Sequence, residues 1–217
     1  MTRLVVLLFA LLLGGCANVA SSPTGYKGAD AGYVALMASA ASNNLYPHYI
    51  YKIRRRGDQT WSELLWRYDS LFSAVSYDID TPQEKGSIVL ETLAPGDYTF
   101  FDVSLFTAMG AGYGYISQRV PFEVNFTVRP GEVTYIGHYV AHSVKGRSIF
   151  GISAAAGAVY AVRDGLEGDR KHILAKLPTP LPITAQVPDP RALNHPALRP
   201  ADAMGPPPPG LEYATYR

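Results

Sequence analysis

The sequence predicts a mainly β protein, a single antiparallel β-sandwich of seven to nine strands with one short C-terminal helix. Three observations lead there. Phe122-Glu-Val124-Asn-Phe126-Thr-Val128-Arg129 alternates apolar and polar residues over eight positions, the pattern of a half-buried strand. Pro-Gly turns at Ala94-Pro95-Gly96-Asp97 and Arg129-Pro130-Gly131-Glu132 punctuate such runs. A helical period is clear only once, over about 164–176, where Leu166, Ile173, Leu174 and Leu177 share a stripe that Pro178 stops.

The strands follow in order. Tyr33 to Met37, His48 to Arg56 and Trp61 to Tyr68 come first; Thr60-Trp-Ser-Glu63 could equally be a capping box opening a short helix. Leu71 to Ile79 and Ser87 to Leu93 precede the first Pro-Gly turn, where Gly96 is expected at positive φ in a type II turn. Tyr98 to Phe106 continues the sheet. Gly110-Ala-Gly112-Tyr-Gly114-Tyr115 then reads as a hairpin loop, because no helix follows that could turn it into a phosphate site. After the alternating run come Val133 to Val140, rich in β-branched and aromatic residues, then Ile149 to Ala154 and Ala158 to Val162.

The two ends differ from this middle. Leu4 to Leu13 is an unbroken apolar run of ten residues behind Arg3. It is too short for a bilayer core, which takes about 20 residues, and suits a secretory leader. Leu13-Gly14-Gly15-Cys16 follows it and resembles the lipobox of bacterial lipoproteins. That resemblance implies cleavage before Cys16, lipid on its sulfur and a membrane-anchored mature protein. Ala17 follows, with no Asp in the next few positions. In lipoproteins with Gram-negative sorting rules Asp there is the usual inner-membrane retention signal, so the resemblance implies the outer membrane, facing the periplasm. Residues 1–15 are therefore expected to be a signal peptide, 16–32 a flexible tether rich in Ala, Ser, Gly and Asn, and 33–177 the sandwich. Eleven of the seventeen prolines fall between Pro178 and Pro209, so 178–217 is expected to be a disordered Pro-rich tail.

Gly86 to Tyr98, with its Leu93-Ala94-Pro95-Gly96-Asp97 turn, resembles the hairpin of prealbumin-like or carboxypeptidase-regulatory-like β-sandwich modules. Val120-Pro-Phe-Glu-Val124, Pro130-Gly-Glu-Val-Thr-Tyr-Ile-Gly137 and Arg163-Asp164 before a helix resemble a group of uncharacterised proteobacterial lipoproteins. These are turn and core motifs. They imply a fold and no activity.

Composition excludes several classes of function. Net charge is +1, from 19 Lys+Arg against 18 Asp+Glu; without Arg3 it is 18 against 18. A neutral chain has no field to draw it onto nucleic acid. The single cysteine, expected to carry lipid, leaves no disulfide framework, CxxC motif or cysteine nucleophile. No Gly-x-Ser-x-Gly is present; Gly146-Arg-Ser148-Ile-Phe150 breaks it at the last position. His138 and His142 lie about 13 Å apart along one strand face, too far for one zinc, and read as solvent-side histidines. Asp78-Ile-Asp80 with Glu84 lacks the spacing of a calcium loop. Arg54-Arg55-Arg56 looks like a strand end protected by charge.

No metal or cofactor is expected, and no catalytic residue is assigned. Of fifteen tyrosines, twelve lie between Tyr33 and Tyr160, more than a sandwich core was expected to need, so some should be at the surface. Tyr113 and Tyr115 are the candidate contact residues. The expected function is a lipid-anchored, non-catalytic envelope protein whose sandwich binds another protein. Glycan or peptidoglycan recognition through exposed tyrosines, and an envelope enzyme, are the alternatives.

Overall fold

Residues 25–69, 75–109, 112–118, 120–147 and 151–215 are described by the structure, a computed structural model. The leader, Cys16 and residues 71–74 of one candidate strand lie outside them. Among the described residues thirteen strands form two sheets. Nine have five or more residues: β1 (Gly32–Ala41), β2 (His48–Arg55), β3 (Ser62–Arg67), β5 (Glu84–Leu93), β6 (Gly96–Met109), β7 (Gly112–Ile116), β8 (Val124–Val128), β9 (Val133–Arg147) and β10 (Ser153–Arg163). The other four are two or three residues long: β4 (Ile79–Asp80), β11 (Ile183–Ala185), β12 (Leu198–Pro200) and β13 (Glu212–Tyr213). Helix α1 is Leu166–Lys176 and a single turn, α2, is Pro190–Leu193.

The larger sheet runs β12-β10-β9-β1-β5-β4, with β11 and β13 also on β9; the smaller runs β3-β2-β6-β7, with β8 also on β6. Their inner faces make one core. Val34, Leu36, Tyr139 and Tyr160 of the larger sheet meet Tyr49, Tyr51, Phe100 and Val103 of the smaller. This is the sandwich the alternation predicts. The larger sheet is not purely antiparallel, however. β1 and β9, its two central strands, run parallel, because the chain crosses to the smaller sheet and back between them.

A second, smaller core lies on the outer face of the larger sheet. There Ile173 of α1 packs with Ala35, Met37, Ile88, Val133 and Tyr135. Of the apolar stripe, Ile173 is fully buried and Leu166 and Leu177 pack beside it, whereas Leu174 is exposed. β9 is thus covered on both faces, which is why Val133 to Ala141 is buried throughout and shows no alternation.

The strand expected over Trp61 to Tyr68 is present as Ser62–Arg67, with Leu64 and Trp66 facing the core while Leu65 and Arg67 do not, and the capping-box alternative falls away. Three further expectations are corrected. Gly96 has φ +150°, so it opens β6 at positive φ but not with the roughly +80° of a type II turn. Tyr46, Tyr49, Tyr51, Tyr135, Tyr139 and Tyr160 are among the largest fully buried side chains, so most of the tyrosine surplus is core.

The Pro-rich segment, expected to be disordered, is folded over 178–215. Proline lacks an N–H but keeps its carbonyl, and the stretches between prolines retain both groups. Pro182 O accepts from Val133 N at 2.9 Å, Gln186 N donates to Tyr135 O at 2.8 Å and Ala214 N donates to Ser143 O at 2.8 Å. β11 runs parallel to β9, β12 runs parallel to β10 and β13 runs antiparallel to β9. Asp189 caps α2 through Arg191 N at 2.9 Å, with Pro190 in the first turn.

Candidate functional site

Two places gather the chemistry-bearing residues. One is a polar cluster under α1, on the outer face of the larger sheet. β9 carries a register shift opposite β1, with Gly137 at φ +118°, and this sends His138 outward while Tyr139 stays in the core. Arg163 of β10 pairs with His138, and Ser39 of β1 pairs with Gly86 of β5. Gly86 is required here: a Cβ on it would lie 2.5 Å from Ser39 Cβ. Gly165, where α1 begins, has no more room, since its Cβ would lie 2.8 Å from Asp169 Oδ2.

His138 Nε2 lies 2.7 Å from Glu84 Oε1 and 3.0 Å from Ser39 Oγ. Its Nδ1 lies 3.4 Å from both Asp169 Oδ2 and Arg163 Nε. Arg163 Nη2 donates to Glu84 Oε2 at 3.1 Å, and Tyr135 OH donates to Asp169 Oδ2 at 2.6 Å. Burial alone would raise the Glu84 carboxyl. The hydrogen bond and charge of His138, the Ser39 hydroxyl and the Arg163 charge together outweigh it and bring the pKa down to about 2. Burial and the Asp169 hydrogen bond push the Tyr135 phenol far up, so it stays protonated and donates.

Ser39, His138 and Asp169 are spaced like a nucleophile, a base and an orienting acid, but they are not arranged to act as one. With Nε2–H donated to Glu84, that nitrogen has no lone pair to take the serine proton. Ser39 is fully buried and His138 almost so. A cleft of about 460 Å³ between β10 and α1 reaches His138 and Asp169, but neither Ser39 nor Glu84 lines it. The solvent-side reading of His138 is corrected: it is the centre of a buried ionic cluster. His142 is half-buried, its ring 6.1 Å from Tyr213. Asp78 accepts from Ile88 N at 2.7 Å and pairs with Lys176 at 3.0 Å, apart from Glu84. Among the described residues no group of three or more His, Cys, Asp or Glu could hold a metal ion.

The second place is the outer face of the smaller sheet. Tyr113 and Tyr115, expected on a hairpin loop, are on edge strand β7, and the loop reading is corrected: they are 77% and 60% exposed. Neither is isolated. Phe106 stacks on Tyr113 with centroids 5.3 Å apart and planes at 13°, touches Tyr115 at 5.3 Å, and stacks on His48 at 5.1 Å. Burial and the nearby Arg67 charge lower the His48 pKa, which favours its neutral form in this row. The pairing register extends the row from Tyr115 through Phe106 and His48 to Arg67, across four of the five strands of the smaller sheet. Exposed Leu65, half-buried Ile50 and exposed Trp61 continue the face, with Lys52 Nζ 6.0 Å from the Trp61 ring. Arg54, at the end of β2 as expected, pairs with Glu123 at 3.1 Å and lies 4.9 Å from the Phe101 ring.

No family model matches this chain, and no curated protein does. A solved structure of a leucine-rich repeat protein from Bacteroides thetaiotaomicron is similar over 52% of this chain and 14% of that one, at 15% identity and a TM-score of 0.33. No helix among the described residues is long and apolar enough to cross a membrane.

Proposed function

We propose that this chain is a lipid-anchored, non-catalytic cell-envelope protein that binds a protein partner through the outer face of its smaller sheet. The observation that carries the reading is the row Tyr115–Phe106–His48–Arg67 with Tyr113, Leu65 and Trp61 around it. Exposed Tyr113, Tyr115, Trp61, Leu65 and Arg67 stand there around half-buried Phe106 and His48, with the sandwich core on the opposite face of the sheet. Aromatics and arginine are the residues enriched at protein interfaces, and a large apolar patch of this kind marks an interaction site. The breadth across four strands favours a protein surface over a single sugar chain. The cluster at His138 supports a non-catalytic reading, because its fully buried serine does not line the cleft and lacks a free base. The anchor rests on Leu13-Gly14-Gly15-Cys16.

Two measurements test the reading. Cys16→Ser should abolish incorporation of a palmitate analogue, and labelling equal to wild type removes the anchor. A photo-crosslinking residue at position 115 should trap one protein other than a second copy of this chain in intact envelopes, and Arg67→Glu should abolish that adduct. Persistence of the adduct in Arg67→Glu, or co-sedimentation with purified peptidoglycan that depends on Tyr113, overturns the protein-binding reading.

A further inference from the structure

Nearly every long strand edge among the described residues is closed. On β5, Ile88 N–H donates to Asp78 Oδ2 at 2.7 Å and Thr92 O accepts from Tyr26 N at 2.9 Å. On β8, Thr127 N–H and C=O are both taken by the Gln186 side-chain amide, at 2.8 and 3.0 Å. β10 is covered by β12 at Tyr160 to Val162, and its Gly157 N–H donates to Tyr46 OH at 2.7 Å. β3 carries Glu63 and Arg67, the charges that discourage edge pairing.

Among the described residues β7 has none of these devices. Gly112-Tyr113-Gly114-Tyr115-Ile116 contains no charge and no proline, and β6 is its one strand partner among the described residues. An edge strand turns alternate N–H and C=O groups outward, so this edge is a template for another strand.

We propose that β7 pairs antiparallel with β7 of a second copy of this chain, about a two-fold axis at Gly114. The sequence favours self-pairing over a foreign strand. Tyr113-Gly114-Tyr115 reads the same in both directions, so the antiparallel register sets Tyr113 opposite Tyr115 of the partner subunit on both sides of the axis. The four rings then stand on one face as cross-strand aromatic pairs, with Gly114 at the axis. Such an interface is isologous and closes as a dimer instead of growing into a fibre. It joins two smaller sheets into one continuous sheet, edge to edge, and sets the two aromatic rows side by side. The pairing goes beyond the proposed binding face, since it uses the edge of β7 and not the outer surface of the sheet.

The register gives a sharp test. Directly opposed residues of an antiparallel pair have Cα atoms about 4.5–5.5 Å apart, within disulfide reach. Residues offset by two positions are about 8 Å apart, beyond it. In the full-length chain, processed in a bacterial envelope so that Cys16 carries lipid, Gly114→Cys should cross-link to a dimer under mild oxidation. Tyr113→Cys alone should not cross-link, and Tyr113→Cys with Tyr115→Cys should. The double variant keeps the test sound if a side chain at 114 disturbs the fold. Tyr113→Lys with Tyr115→Lys in the Gly114→Cys background should abolish the dimer by setting like charges opposite each other. Failure of both Gly114→Cys and the double variant to cross-link overturns the proposal, as does equal cross-linking by Tyr113→Cys alone. A chain that stays monomeric yet still traps a partner at position 115 overturns the dimer and leaves the binding face standing.

Discussion

On the larger sheet, Ser39, Glu84, His138 and Asp169 are packed between four strands and a helix. On the smaller sheet, Tyr113 and Tyr115 stand on an edge strand with Phe106 and His48 stacked behind them. The larger sheet is covered on both faces, by the sandwich core on one and by α1 with part of the C-terminal segment on the other. The smaller is covered on one. Polar groups in the first setting must satisfy one another, because water cannot, and they end as a closed network. Aromatic groups in the second setting are left facing solvent on a stiff surface. Residues usually associated with catalysis therefore hold the fold here, while residues usually associated with the core form the candidate contact.

The largest expected effect comes from removing what covers the larger sheet. A chain ending at Leu177 loses β11, β12 and β13 and the buried side chains of Leu198, His195 and Ala214. One buried leucine is worth about 1.5–3 kcal/mol, and each lost backbone bond leaves an edge group to rehydrate. Urea denaturation of 25–177 against 25–217 should show a loss of at least about 3 kcal/mol, or aggregation through the bared edge of β10. Equal midpoints would mean that the C-terminal segment contributes nothing to the fold.

Next is the cluster itself. His138→Ala leaves Glu84 and Asp169 with one fewer partner in a mostly buried site and should cost about 3 kcal/mol. Ser39 should not react with a fluorophosphonate probe in the folded protein. Stoichiometric labelling would mean that the site opens and that the enzymatic alternative has to be taken up.

A smaller effect is expected from pH. The Glu84 carboxyl sits near pKa 2 in the fold, against 4.5 for a free side chain. A carboxyl depressed by folding stabilises the protein above its unfolded pKa, and that contribution is lost as pH falls through the folded one. The melting temperature of the wild type should thus decline between about pH 4.5 and 2. Glu84→Gln should melt lower at neutral pH and decline less over that window. Parallel declines in the two proteins would show that Glu84 is not ionised in the cluster.

The same contrast explains what was legible in the sequence. Strands with one wet face announce themselves: β8 and β2 alternate cleanly, and the sequence places β2 to within a residue and β8 inside the longer run Phe122 to Arg129. β9, buried on both faces, offered a continuous apolar and aromatic run whose depth no periodicity could give. His138 reads as solvent-side because nothing in the sequence shows that the outer face is covered: the shift at Gly137 turns it outward, and there Glu84, Arg163 and Asp169 of α1 enclose it. Ser39, Glu84 and Asp169 come from three distant segments, so nothing local joins them to His138. Arg163-Asp164 ahead of the helix was visible as a motif, but its purpose requires the fold. In the C-terminal segment the proline count outweighed finer signs. Asp189-Pro190 is a helix cap followed by a first-turn proline, and Ile183-Thr184-Ala185 is a proline-free strand. The smaller sheet gave Tyr113 and Tyr115 correctly as exposed and wrongly as loop, since glycine on alternate positions looks like a turn when strand context is missing.

The smallest effect on stability, and the most informative one on function, belongs to the smaller sheet. Tyr113→Ala with Tyr115→Ala removes two side chains that are mostly in solvent, so denaturation midpoints should shift by no more than about 0.5 kcal/mol each. The stack on Phe106 sets the upper limit, since an aromatic pair adds about 0.5–1.5 kcal/mol when well packed. Binding should respond differently. If these rings are central anchors, their removal should cost about 2 kcal/mol of affinity, roughly 30-fold, for whichever protein is trapped at position 115 in the wild-type envelope. The variant would then melt like the wild type and bind far less. His138→Ala should show the reverse at temperatures where it is still folded, with stability lost and affinity kept. A double tyrosine variant that destabilises the sandwich by as much as His138→Ala would mean that β7 is part of the core and not a contact surface. A variant with unchanged stability and unchanged affinity would move the contact along the sheet, toward Leu65 and Trp61.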